Sequence, residues 1–218
     1  MLMGCIMKNF FSLEGRFFET MDRFANLLWL NLLFVICCIP IVTIGASTTA
    51  LYYVTLKMVK NEECYITKSF FKSFKNNFKQ STVIWMMAFV MGIIFVLDLR
   101  IMGQNDAIIF KIITVVVFAM LFVYIFIMTY VFPMLSKFDN SVKNTIRNSF
   151  LISISKFPFT ILLILCIAVP FVLAYFITYL IPVILLIGAS GIAYGTSFIY
   201  MKIFDNLIDE EDTNKDES

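Results

Sequence analysis

The chain has 218 residues, 61% of them hydrophobic and 15% charged, against about 45–50% and about 25% in soluble domains. A mean hydropathy of +0.90 and 25 Phe exclude a water-covered globule and place the chain among all-α, polytopic membrane proteins. The net charge of +2 divides into a basic body, residues 1–204 with 16 Lys+Arg and 8 Asp+Glu, and an acidic end, residues 205–218 with Lys215 against seven acids; this pattern fits a bilayer with anionic headgroups as partner, and no nucleic acid.

Met1–Arg23 interleaves Phe10, Phe11, Leu13, Phe17, Phe18 and Met21 with Lys8, Glu14, Arg16, Glu19, Asp22 and Arg23. Residues 1–23 are too charged to span and are expected to form an amphipathic segment on the membrane surface. The membrane domain is expected over 24–204, and the acidic tail, 205–218, is expected to be disordered. Phe24–Thr43 is the first span, of about the 20 residues that cross ~30 Å of hydrocarbon. The mixed leader before it makes a poor signal peptide, so the span is read as uncleaved.

Pro40 ends or bends this span, because it lacks a backbone donor and clashes with the preceding turn. In hydrocarbon such a break persists only where neighbouring groups or a watery cavity satisfy the freed backbone. Gly45-Ala46-Ser47-Thr48-Thr49-Ala50 follows, small enough to let another backbone come close. Pro40, Gly45, Ala46 and Ser47 are therefore the candidate break and packing residues; a break that also lines a functional cavity is the other reading. Ser47–Val59, 13 residues or about 20 Å of helix, is either a short crossing or a re-entrant segment.

In Tyr65–Gln80, Lys68, Lys72, Lys75 and Lys79 fall at i, i+4, i+7 and i+11. Phe71, Phe74 and Phe78 line a neighbouring face. Such a helix lies in the headgroup layer, each Lys contributing on the order of 1 kcal/mol near anionic lipid. Spans three and four are expected at Ser81–Leu97 and Ala107–Leu135, with Asp98 and Arg100 in the short connection over 98–111. Lys137–Lys156 is basic again, adding Lys143 and Arg147 as headgroup contacts. The 45 uncharged residues between Lys156 and Lys202 hold span five, Phe157–Thr178 with a kink at Pro170, and span six, Val183–Phe204, turned at Tyr179–Pro182. Gly191 and Gly195 form G-x-x-x-G, a helix-packing face.

Ser73-Phe-Lys-Asn-Asn-Phe-Lys-Gln-Ser81 aligns without gaps with Ser141-Val-Lys-Asn-Thr-Ile-Arg-Asn-Ser149. Each copy is a basic lead-in to a two-span hairpin, and Met1–Lys60 has the same outline. Three such units predict six spans, or five if Ser47–Val59 is re-entrant. Residues 57–79 carry six Lys/Arg and 137–156 four, against two at 98–111 and none at 179–182. That bias makes the basic segments and the C-terminus cytoplasmic; the N-terminus is inside with six spans and outside with five.

Catalytic chemistry is sparse. The chain has no His, which removes the commonest general base and metal ligand. Cys5, Cys37, Cys38, Cys64 and Cys166 form no C-x-x-C and read as buried thiols. Ser47, Thr48 and Thr49 have no base near them in sequence, and Asp98 and Arg100 sit where solvated span ends belong. No catalytic, cofactor or metal residue is expected, and the chain is expected not to be an enzyme.

The words LNLLFVICCIPIVTIGASTTALYYVTLKMV resemble the opening of the YesL-like family of bacterial integral membrane proteins, defined by a domain of unknown function. The resemblance runs on through FFKSFKNNFKQSTVIW and, more loosely, to about Phe204. It implies a protein of the bacterial cytoplasmic membrane from sugar-utilisation loci, acting as an accessory or regulatory partner of a sugar ABC importer or its sensor kinase. The alternative is a small permease for a sugar or other small solute, with its path near Pro40–Thr49 and kinked span five. The spans offer few mid-membrane polar groups for such a path, and no E-A-A coupling loop is present.

Overall fold

A computed structural model describes residues 2–62, 65–102, 108–177, 179 and 181–216. Among them the chain forms α1 (Leu2–Cys38), α2 (Ile44–Val59), α3 (Ile66–Met102), α4 (Ile108–Lys137), α5 (Val142–Ser155), α6 (Phe157–Phe176) and α7 (Ala189–Asp216). A tight turn at Ile41–Thr43 joins α1 to α2, and Ile181–Val183 with a π-helical turn at Ile184–Gly188 leads into α7. The centre of the expected 98–111 connection, Cys64, Thr178 and Leu180 lie outside the described residues, as do the side chains of 1–17.

Among the described residues, four helices are long and apolar enough to cross a membrane: Thr20–Cys38, Ile66–Ile101, Ile108–Lys137 and Phe157–Phe176. The other two expected crossings are not both long and apolar enough. α2 has 16 residues, about 24 Å, and the last apolar run is interrupted at Ile184–Gly188.

Several expected joints are absent. The surface segment and first span are one helix, α1, which runs unbroken to Cys38 because no proline precedes Pro40. The Lys-rich lead-in and span three likewise fuse into α3, 37 residues or about 55 Å long, since neither Gly nor Pro separates Gln80 from Ser81. The second lead-in does stop. α5 ends at Ser155 and Pro158 occupies the first turn of α6, where its missing N–H costs no helical bond. The two matched nonapeptides agree in burial at Ser81 and Ser149, buried, and at Lys75, Lys79, Lys143 and Arg147, exposed, but Ser73 is buried where Ser141 is exposed, and they lead into different connections. The acidic segment, expected to be disordered, continues α7 to Asp216.

The bundle is built around α2. Gly45, Ala46, Ser47, Thr49, Ala50, Leu51, Tyr52, Val54, Thr55 and Leu56 are all buried, and α1, α3, α4 and α7 pack on them. A helix that is apolar or small on every side has no face to give to solvent. Leu30, Phe70, Ile84, Tyr130, Leu163, Tyr200 and Phe204 complete the core around it. The outward faces of α3, α4 and α6 are apolar and exposed, as at Val90, Ile94, Val115, Phe122, Leu165 and Phe171, the surface that hydrocarbon solvates.

Pro133 lies inside α4, so the carbonyl of Thr129 has no backbone N–H four residues on. The Tyr200 hydroxyl of α7 donates to that carbonyl at 2.6 Å. Tyr200 is wholly buried, its ring edge-on to Tyr52 and Tyr130 at 5.5 and 5.7 Å. One proline thus creates the acceptor that fastens α7 to α4. Tyr200→Phe is expected to lower stability by about 1–3 kcal/mol, read as thermal unfolding in detergent. In a Pro133→Ala background, which restores the backbone donor, the same change is expected to cost clearly less; equal costs in both backgrounds would refute the coupling.

Candidate functional site

The break between α1 and α2 is satisfied locally. Pro40 adopts an extended backbone, φ −75° and ψ 122°, which turns the chain out of α1. The Thr43 hydroxyl reaches the carbonyls of Cys37 and Pro40 at 2.6 and 2.7 Å. The Trp85 indole N–H of α3 donates to the Ile41 carbonyl at 2.8 Å. Freed backbone acceptors at the helix end therefore find partners inside the protein, the condition for irregular backbone at membrane depth.

Just past the turn, α2 meets α3 at the closest approach found at any of the described glycines. A Cβ on Gly45 would stand 2.5 Å from the Ser81 carbonyl oxygen and 2.6 Å from the Trp85 Cβ. Ala46 and Ser47 beside it are fully buried. The Ser47 hydroxyl, like that of Thr82, is a buried oxygen with no hydrogen-bond partner among the described residues.

Gly191 and Gly195, expected as a helix-packing face, lie at an open stretch of α7 among the described residues. A Cβ at either would meet nothing within 4 Å, so within this chain the G-x-x-x-G face is open. Missing Cβ atoms permit close packing but do not say which flank of the helix a neighbour occupies. The opposite flank of α7 carries the contacts: Ser197 Oγ lies 2.8 Å from Thr55 Oγ1 of α2, and the Ser190 N–H donates to Asn31 Oδ1 of α1 at 3.2 Å. Ser190 follows the π-helical turn, where backbone donors lose their regular acceptors, and Asn31 supplies one. On α4 and α6, the hydroxyls of Tyr130 and Thr160 pair at 3.0 Å.

The expected headgroup contacts, Lys68, Lys72, Lys75, Lys79, Lys143 and Arg147, are all exposed. They lie on α3 and α5 and line no described pocket with one another. The cations that do converge are ones the spacing did not single out. Lys57 and Lys60 at the end of α2 and Lys137 at the end of α4 line one pocket with Tyr53, Leu56, Glu62, Ser136 and Met201. Lys137 Nζ is 3.0 Å from Asp205 and Lys57 Nζ is 3.8 Å from Glu62. The sequence signal was only that Lys57, Lys60 and Lys137 each close an apolar run.

Elsewhere, an open apolar groove of about 470 Å³ runs between α3 and α4, lined among others by Met87, Met91, Phe95, Val116 and Met120. Among the described residues, no cluster of three or more Cys, Asp or Glu could hold a metal ion, and Cys37, Cys38 and Cys166 are free thiols.

Residues 26–99, from α1 through most of α3, match a family described as "Protein of unknown function, DUF624". The chain is also similar to the uncharacterized protein YteU of Bacillus subtilis (strain 168), 29% identical over 164 residues, which cover 73% of this chain and 72% of that one. The family match covers about a third of the chain. Neither description names a substrate, a partner or a reaction. No solved structure matches the chain.

Gly45→Ala is expected to destabilise the protein by about 1–3 kcal/mol, because the added methyl meets backbone rather than a movable side-chain end. Ser47→Ala, two residues on, is expected to be neutral or stabilising, since it removes an unpaired buried hydroxyl. Thermal unfolding in detergent checks both. Similar losses at the two sites would contradict the packing at this crossing.

Proposed function

We propose that the protein is a non-catalytic integral membrane component that acts by associating with another membrane protein. The observation that carries this reading is the state of the interior. Apart from the Ser47 and Thr82 hydroxyls, the buried polar groups that join helices spend themselves on one another and on backbone: Thr55 on Ser197, Tyr130 on Thr160, Tyr200 on the Thr129 carbonyl, Asn31 on the Ser190 N–H. A solute path needs polar groups free to exchange water for solute. Here the polar groups hold helices together instead, which favours an accessory protein over a permease.

The role in carbohydrate uptake rests on the YesL-like resemblance alone. On that ground the partner is a bacterial sugar ABC importer or its sensor kinase. In this reading α2 and the run from Ile181 complete six crossings. Both chain ends then lie in the cytoplasm with Lys57, Lys60 and the Lys68–Lys79 line, by the Lys/Arg bias.

Two measurements test the reading. In a cysteine-free background, Lys72→Cys and Lys143→Cys are expected to resist a membrane-impermeant thiol reagent applied to intact cells, while Gln104→Cys reacts; labelling at position 72 from outside would reverse the orientation. Crosslinking in native membranes during growth on a complex polysaccharide is expected to recover a sugar importer or its sensor. Because Gly191 has open space around it, Gly191→Leu should leave the fold intact and abolish that recovery. Movement of an oligosaccharide into liposomes by the purified protein alone would overturn the proposal in favour of a permease.

A further inference from the structure

The pocket at the charged end of the bundle is placed and built to hold an anion. Its three ammonium groups come from two helices that sequence alone does not bring together. Lys57 and Lys60 stand one helical turn apart at the end of α2, and Lys137 is the last residue of α4. The cavity between them is about 150 Å³. Its floor is apolar, from Leu56 and Met201, and Ser136 and Tyr53 complete the wall.

Lys137 is the least solvated of the three, its side chain only 16% exposed. It is held by what surrounds it. Its ammonium lies over the rings of Phe204 and Phe138 at 5.4 and 5.8 Å, and 3.9 Å from the Met201 sulfur. One oxygen of Asp205 accepts from it at 3.0 Å. An ammonium has three donors, so a single carboxylate oxygen and a weak sulfur acceptor leave it capacity for a stronger acceptor.

Lys57 is fixed by its own helix, stacked over the Tyr53 ring at 5.1 Å. Its Glu62 partner is at 3.8 Å and half exposed, the geometry of a pair that water and salt weaken. Lys60 is exposed at the pocket rim. Among the described residues, Lys57, Lys60, Lys137 and Glu62 line the cavity, and Asp205 pairs with Lys137 from outside that lining. Both carboxylates are about half exposed, 48% and 49%, against 31% for Lys57 and 16% for Lys137.

We propose that this pocket is an anion site that takes a phosphate group between Lys57, Lys60 and Lys137. Lys presents a point charge that suits a tetrahedral phosphate without demanding the flat, forked geometry of a carboxylate–Arg pair. Two sources share that chemistry: the phosphodiester of an anionic phospholipid headgroup, and free inorganic phosphate. A basic pocket between helices beside an apolar floor is a known setting for lipid headgroups. The competing role of Lys137, tying α4 to α7 through Asp205, uses neither Lys57 nor Lys60, and the two roles therefore separate experimentally.

The test uses the full-length protein purified in a neutral detergent and read by thermal unfolding. Phosphatidylglycerol, phosphatidylcholine or inorganic phosphate is added in separate series at matched ionic strength. A bound phosphate group at a few times its Kd is expected to raise Tm by about 2–4 °C. The shift should vanish in Lys57→Gln/Lys60→Gln, which leaves the Lys137–Asp205 pair in place. It should persist in Lys72→Gln/Lys75→Gln, which removes the same charge from the exposed line on α3. A shift with phosphatidylglycerol and not with inorganic phosphate assigns the site to a lipid headgroup, and a shift with inorganic phosphate assigns it to a free anion. No shift with either, an equal shift with phosphatidylcholine, or equal loss in the two double variants would overturn the proposal.

Discussion

The architecture depends on how close α2 can come to its neighbours. At Gly45 there is no room for a single methyl group before the Ser81 carbonyl. In hydrocarbon, apolar side chains gain nothing by leaving lipid for protein, so helix association rests on packing contact and on hydrogen bonds between helices. A helix of small residues answers both needs. Gly45 lets α3 approach, the small residues Ala46, Ser47, Thr49 and Ala50 are buried around it, and Thr55, lower on the same helix, reaches Ser197 of α7. The shortness of α2 follows from the same logic, because a helix enclosed on all sides takes its length from the core around it and not from the bilayer.

That enclosure creates a backbone problem at each place where a helix breaks, and the solutions share a pattern. At Pro40 the Cys37 carbonyl at the end of α1 accepts from the Thr43 hydroxyl, and the Ile41 carbonyl in the turn accepts from the Trp85 indole N–H. Pro133 frees the Thr129 carbonyl, which Tyr200 takes. The π-helical turn before α7 exposes the Ser190 N–H, which Asn31 takes. In each case a polar side chain far away in sequence, or just past the break, supplies the missing partner; of the four bonds, two join separate helices and the Trp85 bond ties α3 to the turn. Breaks in these helices and the bonds between them are therefore one system, and a residue such as Asn31 acts as a tie rather than as a solute ligand.

Much of this was legible in the chain and part was not, for identifiable reasons. Pro40 and the small residues after it announce a break with close packing, because proline and glycine act through backbone sterics that any surroundings must respect. The continuity of α3 was missed: the switch from polar to apolar at Gln80-Ser81 was read as a joint although no Gly or Pro stands there to break the helix. The central place of α2 was hidden, since apolar character in a membrane protein does not separate a lipid-facing helix from an enclosed one. Asn31 was passed over as one amide in a long apolar run, although an amide at that depth needs a partner and is itself the signal. Gly191 and Gly195 were read from spacing as a helix-packing face, either for a partner helix or internal, and spacing carries no information about which neighbour is present. The pocket of Lys57, Lys60 and Lys137 could not be read locally, since its third member comes from another helix far along the chain.

The charges then follow from the frame. With α2 and α4 ending at the same level, the cations that close their apolar runs gather at one end, and α7 brings Asp205 to meet them. All of this requires that α2 lie inside the bundle against α7. The most direct check is a Thr55→Cys/Ser197→Cys pair in a cysteine-free background, oxidised in native membranes, since the two side-chain oxygens are 2.8 Å apart. The account predicts an intrachain disulfide, formed readily and seen as a mobility change that reduction reverses. Failure to form it, in a protein that folds, or exclusive formation of crosslinks between chains, would place α2 outside the bundle and contradict the account.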